Sequence, residues 1–231
     1  MVQTIETTLT NVKQAEQTLI TRVYGFMSLA LLVTALVAFV TAATPSLAHA
    51  IVSNQILFFG LIIGELGLVM YLSSAVAGMD FPTALRVFLA YSFLNGLTFS
   101  VIFLAYTAGS IASTFFITAG AFGAMSAYGY FTKADLTRLG SLCIMAVFGL
   151  IIASVVNIFM HSSMLYWLIT YAGILIFVGL TAYDTQKIKN MSYAGEGDNT
   201  SKLAVIGALT LYLDFINLFL MMLRLFGSRR N

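Results

Sequence analysis

Seven apolar runs of about 20 residues divide the chain and leave little sequence for anything else. A helix of about this length crosses the ~30 Å hydrocarbon core of a bilayer. Only 9% of the 231 residues are charged, so the chain lacks the side chains for a water-facing surface. The sequence therefore predicts an all-α, polytopic membrane protein, a seven-transmembrane-helix bundle. The predicted spans are 23–43, 54–77, 83–106, 111–131, 139–160, 163–184 and 203–226.

The connections between the runs carry turn-forming residues. They include Thr44-Pro45-Ser46, the stretches 78–82 and 107–109, and a Gly-rich stretch at 194–198. We divide the chain into an N-terminal segment (1–22), a transmembrane domain (23–227) and a short tail (228–231), with no separate soluble domain. The first 21 residues contain no apolar region, which predicts that no cleavable signal peptide is present.

Lysine and arginine alternate between the connections. Basic residues occur in the N-terminal segment and near the second-to-third, fourth-to-fifth and sixth-to-seventh connections, whereas 44–53, 107–110 and 161–162 contain none. The positive-inside rule then predicts a cytoplasmic N-terminus. Arg229 and Arg230 would lie outside, so either the tail is too short to affect topology or the last helix turns back inward.

Small residues spaced four apart predict where helices approach closely, because they let backbones meet in lipid. Three such pairs lie within the spans: Gly60 with Gly64, Gly120 with Ala124, and Gly149 with Ala153.

Two aspartates lie in or at the edge of these spans. A carboxylate in hydrocarbon costs a few kcal/mol or more, so such residues are usually functional. Asp214 is near the middle of the seventh span, in a polar or small stripe predicted to face the bundle centre: Gly207, Thr210, Asp214, Asn217, Met221 and Arg224. Asp184 closes the sixth span. A structural carboxylate is the alternative for Asp214, and a solvated helix end is the alternative for Asp184.

The two aspartates are predicted to meet. If the sixth helix continues to about Met191 and the seventh begins near Lys202, Asp184 lies ~10 Å and Asp214 ~18 Å from the inner ends of their helices. Tilt or a different helix start absorbs the ~8 Å mismatch. Because two carboxyls in contact cannot both ionise cheaply, one keeps a proton. A shared proton would hold the pair closed at low pH, and ionisation would separate it at high pH.

Other polar groups lie at membrane depth. Glu65 is a candidate cation ligand or proton carrier, with a hydrogen bond to a neighbouring helix as the alternative. Arg86 is interpreted as a topology charge or as a partner of one of the aspartates. The amides Asn95, Asn157 and Asn217 are candidates for the ion pathway, although for Asn95 and Asn157 interhelical hydrogen bonds are the preferred interpretation.

Several functions are disfavoured. The net charge of +2, with scattered basic residues, predicts no nucleic-acid partner. Cys143 is the single cysteine and is interpreted as a core residue. His49 and His161 have no second ligand nearby in sequence, so no cofactor is predicted. A retinal Schiff base is excluded because 203–226 contains no lysine.

Long motifs in the chain resemble the Bax inhibitor-1 (transmembrane Bax inhibitor motif) family, in its bacterial inner-membrane branch. The residues that carry the resemblance are Thr-Ala-Tyr-Asp-Thr-Gln-Lys-Ile-Lys at 181–189, the stretch from Gly-Ala-Leu-Thr-Leu-Tyr-Leu-Asp to Leu-Phe-Gly at 207–227, and shorter segments at 22–27 and 119–130. The resemblance covers nearly the whole chain.

The resemblance implies a bundle with the last helix central and a location in the bacterial inner membrane. It also implies a pH-dependent calcium leak gated by two aspartates, which match Asp184 and Asp214, with a helix-two glutamate that matches Glu65. Carboxylates are the hard oxygen ligands that calcium prefers, so the pair is the candidate calcium site. The family's latch arginine near the inner end of helix two has no counterpart in 71–80, and Arg86 is the candidate replacement.

Two other functions stay open at this point. The protein could be a non-catalytic regulator that binds a membrane protease or a stress-response complex. The paired aspartates also resemble those of intramembrane aspartyl proteases, but Leu211-Tyr212-Leu213 stands where those enzymes have Gly-x-Gly, and their Pro-Ala-Leu element is missing. The sequence therefore predicts that the protein is not an enzyme, with calcium or protons as the transported ion and the lipid bilayer as the main partner.

Overall fold

A computed structural model describes residues 2–191 and 198–230. Within these residues the regular structure is helical, in eight α-helices. They are α1 (Val2–Ala43), α2 (Pro45–Ser53), α3 (Gln55–Ala75), α4 (Phe81–Ala105), α5 (Ala108–Phe131), α6 (Thr137–Met160), α7 (Ser163–Met191) and α8 (Asp198–Phe226). A 3₁₀ turn, Val76–Gly78, follows α3. The turn predicted at 194–197 lies outside the described residues.

Seven of the helices are long and apolar enough to cross a membrane, which confirms the predicted all-α, polytopic architecture. Most predicted ends lie within three residues of the observed ones. Two helices extend well beyond their predicted spans: α1 begins at Val2 instead of residue 23, and α7 ends at Met191 instead of residue 184.

The N-terminal segment and the first span form one helix, α1. No proline or glycine interrupts residues 2–24, so nothing in the backbone chemistry ends a helix there. Leu19 and Val23 are fully buried, which shows that α1 already packs before the predicted start of the span.

The connection 44–53 contains the short helix α2. Pro45 occupies its first turn after an extended Thr44. Proline is well suited to this position because its fixed φ is helical and its missing N–H would have no partner there. The nine residues of α2 are too few to span a bilayer.

The last span is the most buried one, as predicted for a central helix. In α8, 67% of the most apolar 18-residue window is buried, compared with 6% in α3 and in α6. The predicted stripe on α8 faces inward only in part: Gly207, Asp214 and Met221 are buried, whereas Arg224 is exposed.

The predicted close approaches at the Gly60, Gly120 and Gly149 pairs are wrong. A Cβ added at any of these glycines, or at Gly64, would have no atom of a neighbouring element within 4 Å. Other glycines bring helices together instead. A Cβ added at Gly129 would meet the Ala182 carbonyl, and one added at Gly140 would meet the Tyr183 ring. A Cβ added at Gly179 would lie 2.9 Å from Cys143 Sγ.

The chain divides into two compact units. The first comprises the residues up to Tyr106, Lys189–Tyr212 and the end of the chain from Arg230. Its interior contains Tyr212, whose hydroxyl lies 2.7 Å from Thr34 Oγ1 and whose ring packs edge-on against Phe88 and Tyr91. The second unit comprises Thr107–Ile188 and Leu213–Arg229, and it contains both membrane aspartates.

The tail after α8, which contains Arg229 and Arg230, contacts the beginning of α5. The Ser228 N–H donates to Ser110 Oγ at 2.8 Å, and the Thr107 N–H donates to the Ser228 carbonyl at 3.1 Å. Since Thr107 and Ser110 begin α5, the chain leaves α8 at the α4–α5 connection. α8 is one continuous helix from Asp198 to Phe226 and does not turn back before it reaches the start of α5.

Candidate functional site

Asp184 and Asp214 lie side by side within the second unit. Asp184 is on α7, seven residues before its end at Met191, and Asp214 is in the middle of α8. Their exposed fractions are only 7% and 5%. The two carboxyls lie close enough to hydrogen-bond to each other, and such a bond requires a proton on one of them. The structure thus brings together the two acids that the sequence singled out.

Close helix contacts position the pair. Gly129 of α5 lies against the Ala182 backbone, and Gly140 of α6 lies against the Tyr183 ring, so both helices touch α7 within two residues of Asp184. Thr181 and Thr185 flank Asp184, and their hydroxyls donate to carbonyls of α7 at 2.7 and 2.8 Å. Those hydroxyls are thereby satisfied within their own helix.

Asp214 is not fully satisfied by its partner. Its Oδ2 is buried and has no hydrogen-bond partner among the described residues. A buried carboxylate oxygen without a partner is costly, and a water molecule or an ion commonly supplies one. The site therefore has unused capacity for a ligand.

Two further side chains lie near the acids. Lys187, one turn beyond Asp184 on α7, places a positive charge near the Asp184 carboxyl. Its Nζ lies 6.0 Å from the centroid of the Tyr183 ring. The buried thiol of Cys143 on α6 is close enough to be affected by the charges of both aspartates. This proximity was not predicted from the sequence, because Cys143 lies in an otherwise apolar run.

Glu65 and Asn95 belong to the first unit. The Thr98 hydroxyl of α4 donates a short hydrogen bond to Glu65 Oε1 on α3. Asn95 is buried, and its Nδ2 lies 3.5 Å from the Tyr91 carbonyl of its own helix. Glu65 thus joins two helices, in line with the structural alternative considered for it.

The amides Asn157 and Asn217 belong to the second unit. Asn157 Oδ1 accepts the Ser162 N–H at 3.0 Å and so satisfies the α6–α7 connection. Asn217 Nδ2 donates to the Leu213 carbonyl of its own helix at 2.8 Å.

Arg86 is exposed and bonds locally at the start of α4. Its Nε donates to the Pro82 carbonyl at 3.2 Å, and its Nη2 donates to Thr83 Oγ1 at 3.0 Å. The positive charge also helps to lower the pKa of Asp80, although a hydrogen bond from Thr83 is the larger cause. These contacts satisfy the guanidinium within the first unit, and its role as a latch stays a prediction.

The described residues contain no cluster of three or more His, Cys, Asp or Glu side chains that could hold a metal. Calcium takes six to eight oxygen ligands, so two carboxyls supply only part of a coordination sphere.

Residues 16–231 match the protein family described as Inhibitor of apoptosis-promoting Bax1. The chain belongs to the Bax inhibitor-1 family. It is 50% identical over 217 residues to the Inner membrane protein YbhL of Escherichia coli K12, with 93% of each chain covered. A protein of Borreliella burgdorferi is 48% identical over 212 residues, covering 91% of each chain. A Rickettsia prowazekii protein is 46% identical over 213 residues, covering 91% of this chain and 89% of its own.

These comparisons confirm the family membership indicated by the motifs at 181–189 and 207–227. The relative from Escherichia coli is by name an inner membrane protein, and the seven apolar helices make this Bax inhibitor-1 family member a membrane protein as well.

Proposed function

We propose that this protein is a pH-sensitive cation leak pathway in the bacterial inner membrane, with calcium as the leading candidate ion. The observation that carries the proposal is that Asp184 and Asp214, two buried acids on neighbouring helices, lie within hydrogen-bonding reach of each other. Buried acids of membrane proteins commonly mark ion or proton pathways.

The pair acts as the gate. While one proton is shared, the carboxyls attract each other and hold α7 against α8. When both are ionised, two negative charges a few ångströms apart in a medium of low dielectric repel each other strongly. Separation of the two carboxylates then offers oxygen ligands to a cation. In this mechanism the proton and the cation compete for the same oxygens.

The orientation is part of the proposal. The basic connections support a cytoplasmic N-terminus, which places the α5–α6 connection inside and the α6–α7 connection outside. In a Cys143→Ala background, Lys133→Cys should react with an impermeant thiol reagent only from the cytoplasmic side, and His161→Cys only from the outer side. The opposite pattern would reverse the orientation.

Calcium flux into liposomes that contain the purified protein tests the gate. We expect flux that depends on pH in the wild type, whereas Asp184→Asn and Asp214→Asn should each lose most of that dependence. An asparagine amide donates a hydrogen bond at every pH, so it mimics the shared proton permanently. Equal pH profiles in the wild type and in both variants would refute gating by the pair.

Lys133→Ala is a suitable control, because Lys133 is an exposed residue in the α5–α6 connection. Its flux profile should equal that of the wild type. The alternative role as a non-catalytic regulator of a membrane protease predicts a different result: a partner protein would co-purify equally well with the wild type and with the double asparagine variant. Cleavage of a helical substrate that is lost in Asp214→Ala would instead indicate a protease.

A further inference from the structure

The buried surface of α5 is unusually polar. Its buried residues are Ser110, Thr114, Thr118, Phe122, Ser126 and Gly129, spaced four residues apart until the last step of three. Residues spaced by four form a continuous ridge on a helix. Four of these six residues carry a hydroxyl group, although the ridge lies in a membrane span where apolar side chains pack equally well.

Two of these hydroxyls lack any partner among the described residues. Thr114 Oγ1 and Ser126 Oγ are buried and unpaired, and the exposed fractions of their side chains are 0% and 6%. By contrast, Thr118 Oγ1 donates to the Thr114 carbonyl and Ser110 Oγ accepts the Ser228 N–H. The third unpaired atom in the described chain is Asp214 Oδ2, in the same unit.

Aromatic contacts show that the ridge runs along α8. The Phe215 ring packs against Phe115 and Phe122 with centroids 5.4 Å apart in both cases, and Phe219 packs against Phe115 at 6.4 Å. Phe215 directly follows Asp214. At its far end the ridge reaches Gly129, which touches Ala182 two residues before Asp184. The ridge therefore begins beside the C-terminal tail and ends beside the acid pair.

The aromatic rings divide this surface into two polar sections. Ser110, Thr114 and Thr118 lie on the side of the tail, whereas Ser126 lies on the side of the acid pair. Phe122 separates them, and Phe215 closes over it from α8. An apolar constriction between wettable sections is a known way of gating a pore, because it excludes water while it stays narrow.

We propose that the hydroxyl ridge of α5 forms a polar track along α8 that carries water and the transported cation to the acid pair, closed by Phe122 and Phe215. Unpaired buried oxygens would be satisfied by water or by a partly dehydrated cation in the track. This inference rests on the proposed leak function, but its test does not need flux.

The test uses the silver ion, a small thiophilic cation, as the probe. In a Cys143→Ala background, single cysteines replace Thr114, Ser126 or Phe116. Phe116 is the matched control, because it lies on α5 but is 72% exposed on the outside of the helix. Silver is added from the tail side of liposomes, and unreacted thiols are alkylated after unfolding and counted by mass spectrometry.

Thr114→Cys should react at least about tenfold faster than Phe116→Cys, since the reactive thiolate requires water. Ser126→Cys should react slowly from this side and become fast when Phe122→Ala is added. Phe122→Leu keeps an apolar side chain at this position, so it disturbs the packing less and should give a smaller increase. The same Phe122→Ala variant should raise basal calcium flux several-fold.

Each outcome separates the two proposals. Equal silver reactivity of Thr114→Cys and Phe116→Cys, in protein that passes calcium in a pH-dependent way, would refute the track and leave the gate standing. The expected thiol pattern in protein that passes no calcium would support the track and refute the leak function. Reactivity of Ser126→Cys that does not change with Phe122→Ala would refute the aromatic closure.

Discussion

Gly129 of α5 lies directly against the backbone carbonyl of Ala182 on α7, so the two helices meet without any side chain between them. This contact is two residues from Asp184. A Cβ at position 129 would overlap backbone atoms, which cannot rotate away as the end of a side chain could. We expect Gly129→Ala to destabilise the protein by at least about 1–3 kcal/mol, the usual range for overpacking. Thermal unfolding in detergent measures the effect.

Gly120→Ala is the matched control for that variant. Gly120 lies on the same helix, but an added Cβ would meet nothing within 4 Å. Its melting temperature should equal that of the wild type or rise slightly, because alanine is the better helix former. Equal losses in the two variants would mean that α5 and α7 do not approach at Gly129.

The bond between the acids predicts a difference between two changes at Asp184. Asp184→Ala leaves Asp214 buried with both oxygens unpaired, which typically costs about 1–3 kcal/mol. Asp184→Asn keeps a donor toward Asp214 and should retain most of the stability. Melting temperatures of the two variants at neutral pH should therefore differ by several degrees. If Asp184→Ala proved as stable as Asp184→Asn, the hydrogen bond between the two acids would contribute nothing to the free energy of unfolding.

Tyr212 tests the packing of the first unit. It is fully buried, and its hydroxyl donates to Thr34 Oγ1, which in turn donates to the Ser92 carbonyl at 2.9 Å. Tyr212→Phe keeps the ring contacts and removes one hydrogen bond, so the expected loss is about 1 kcal/mol. Tyr171→Phe, on an exposed side chain, should change the unfolding free energy by less than about 0.5 kcal/mol. A Tyr212→Phe variant as stable as wild type would contradict the hydroxyl network.

Asp135, in the α5–α6 connection, provides a pH prediction outside the membrane. Hydrogen bonds from the Thr137 hydroxyl and backbone N–H, at 2.6 and 2.9 Å, lower its pKa. The bonds favour the ionised form, so their stabilisation is present above the pKa of the unfolded state and is lost as the pH falls through the lowered folded value. Thr137→Val should raise the pKa of Asp135. An NMR titration of the protein in micelles would measure this change. The pKa of Asp80, which Thr83 lowers separately, should not move.

Hydropathy was sufficient to predict the seven spans, since spanning helices need long apolar runs whatever their packing. It was insufficient for α2, because nine residues after Pro45 form a helix too short to produce that signal. It was equally insufficient for helix contacts. Sequence spacing selected Gly60 and Gly64, whereas Gly129 and Gly140 are where side chains or backbone actually touch. Which small residues meet depends on helix rotation and tilt, and neither can be read from a spacing of four.

The adjacency of Asp184 and Asp214 could be predicted from helix rise together with an allowance for helix tilt, because the depth of a residue follows from its distance to the helix end. Ser126 could have been found from the four-residue spacing of hydroxyls along α5, but a stripe of small residues equally indicates ordinary packing. The proximity of Cys143 could not be predicted, since it depends on the close packing of α6 against α7 at Gly179, where an added Cβ would lie 2.9 Å from Cys143 Sγ. The gating role of the pair remains a prediction.

The central position of α8 has a consequence for how the protein is made. Translation produces α1 to α7 first, so Asp184 enters the bilayer before its partner Asp214 exists. During that interval the carboxyl has no shared proton, and the groove that α8 will fill stands open to lipid or to the insertion machinery. Assembly of this protein therefore ends with the insertion of its most buried helix between helices already in the membrane.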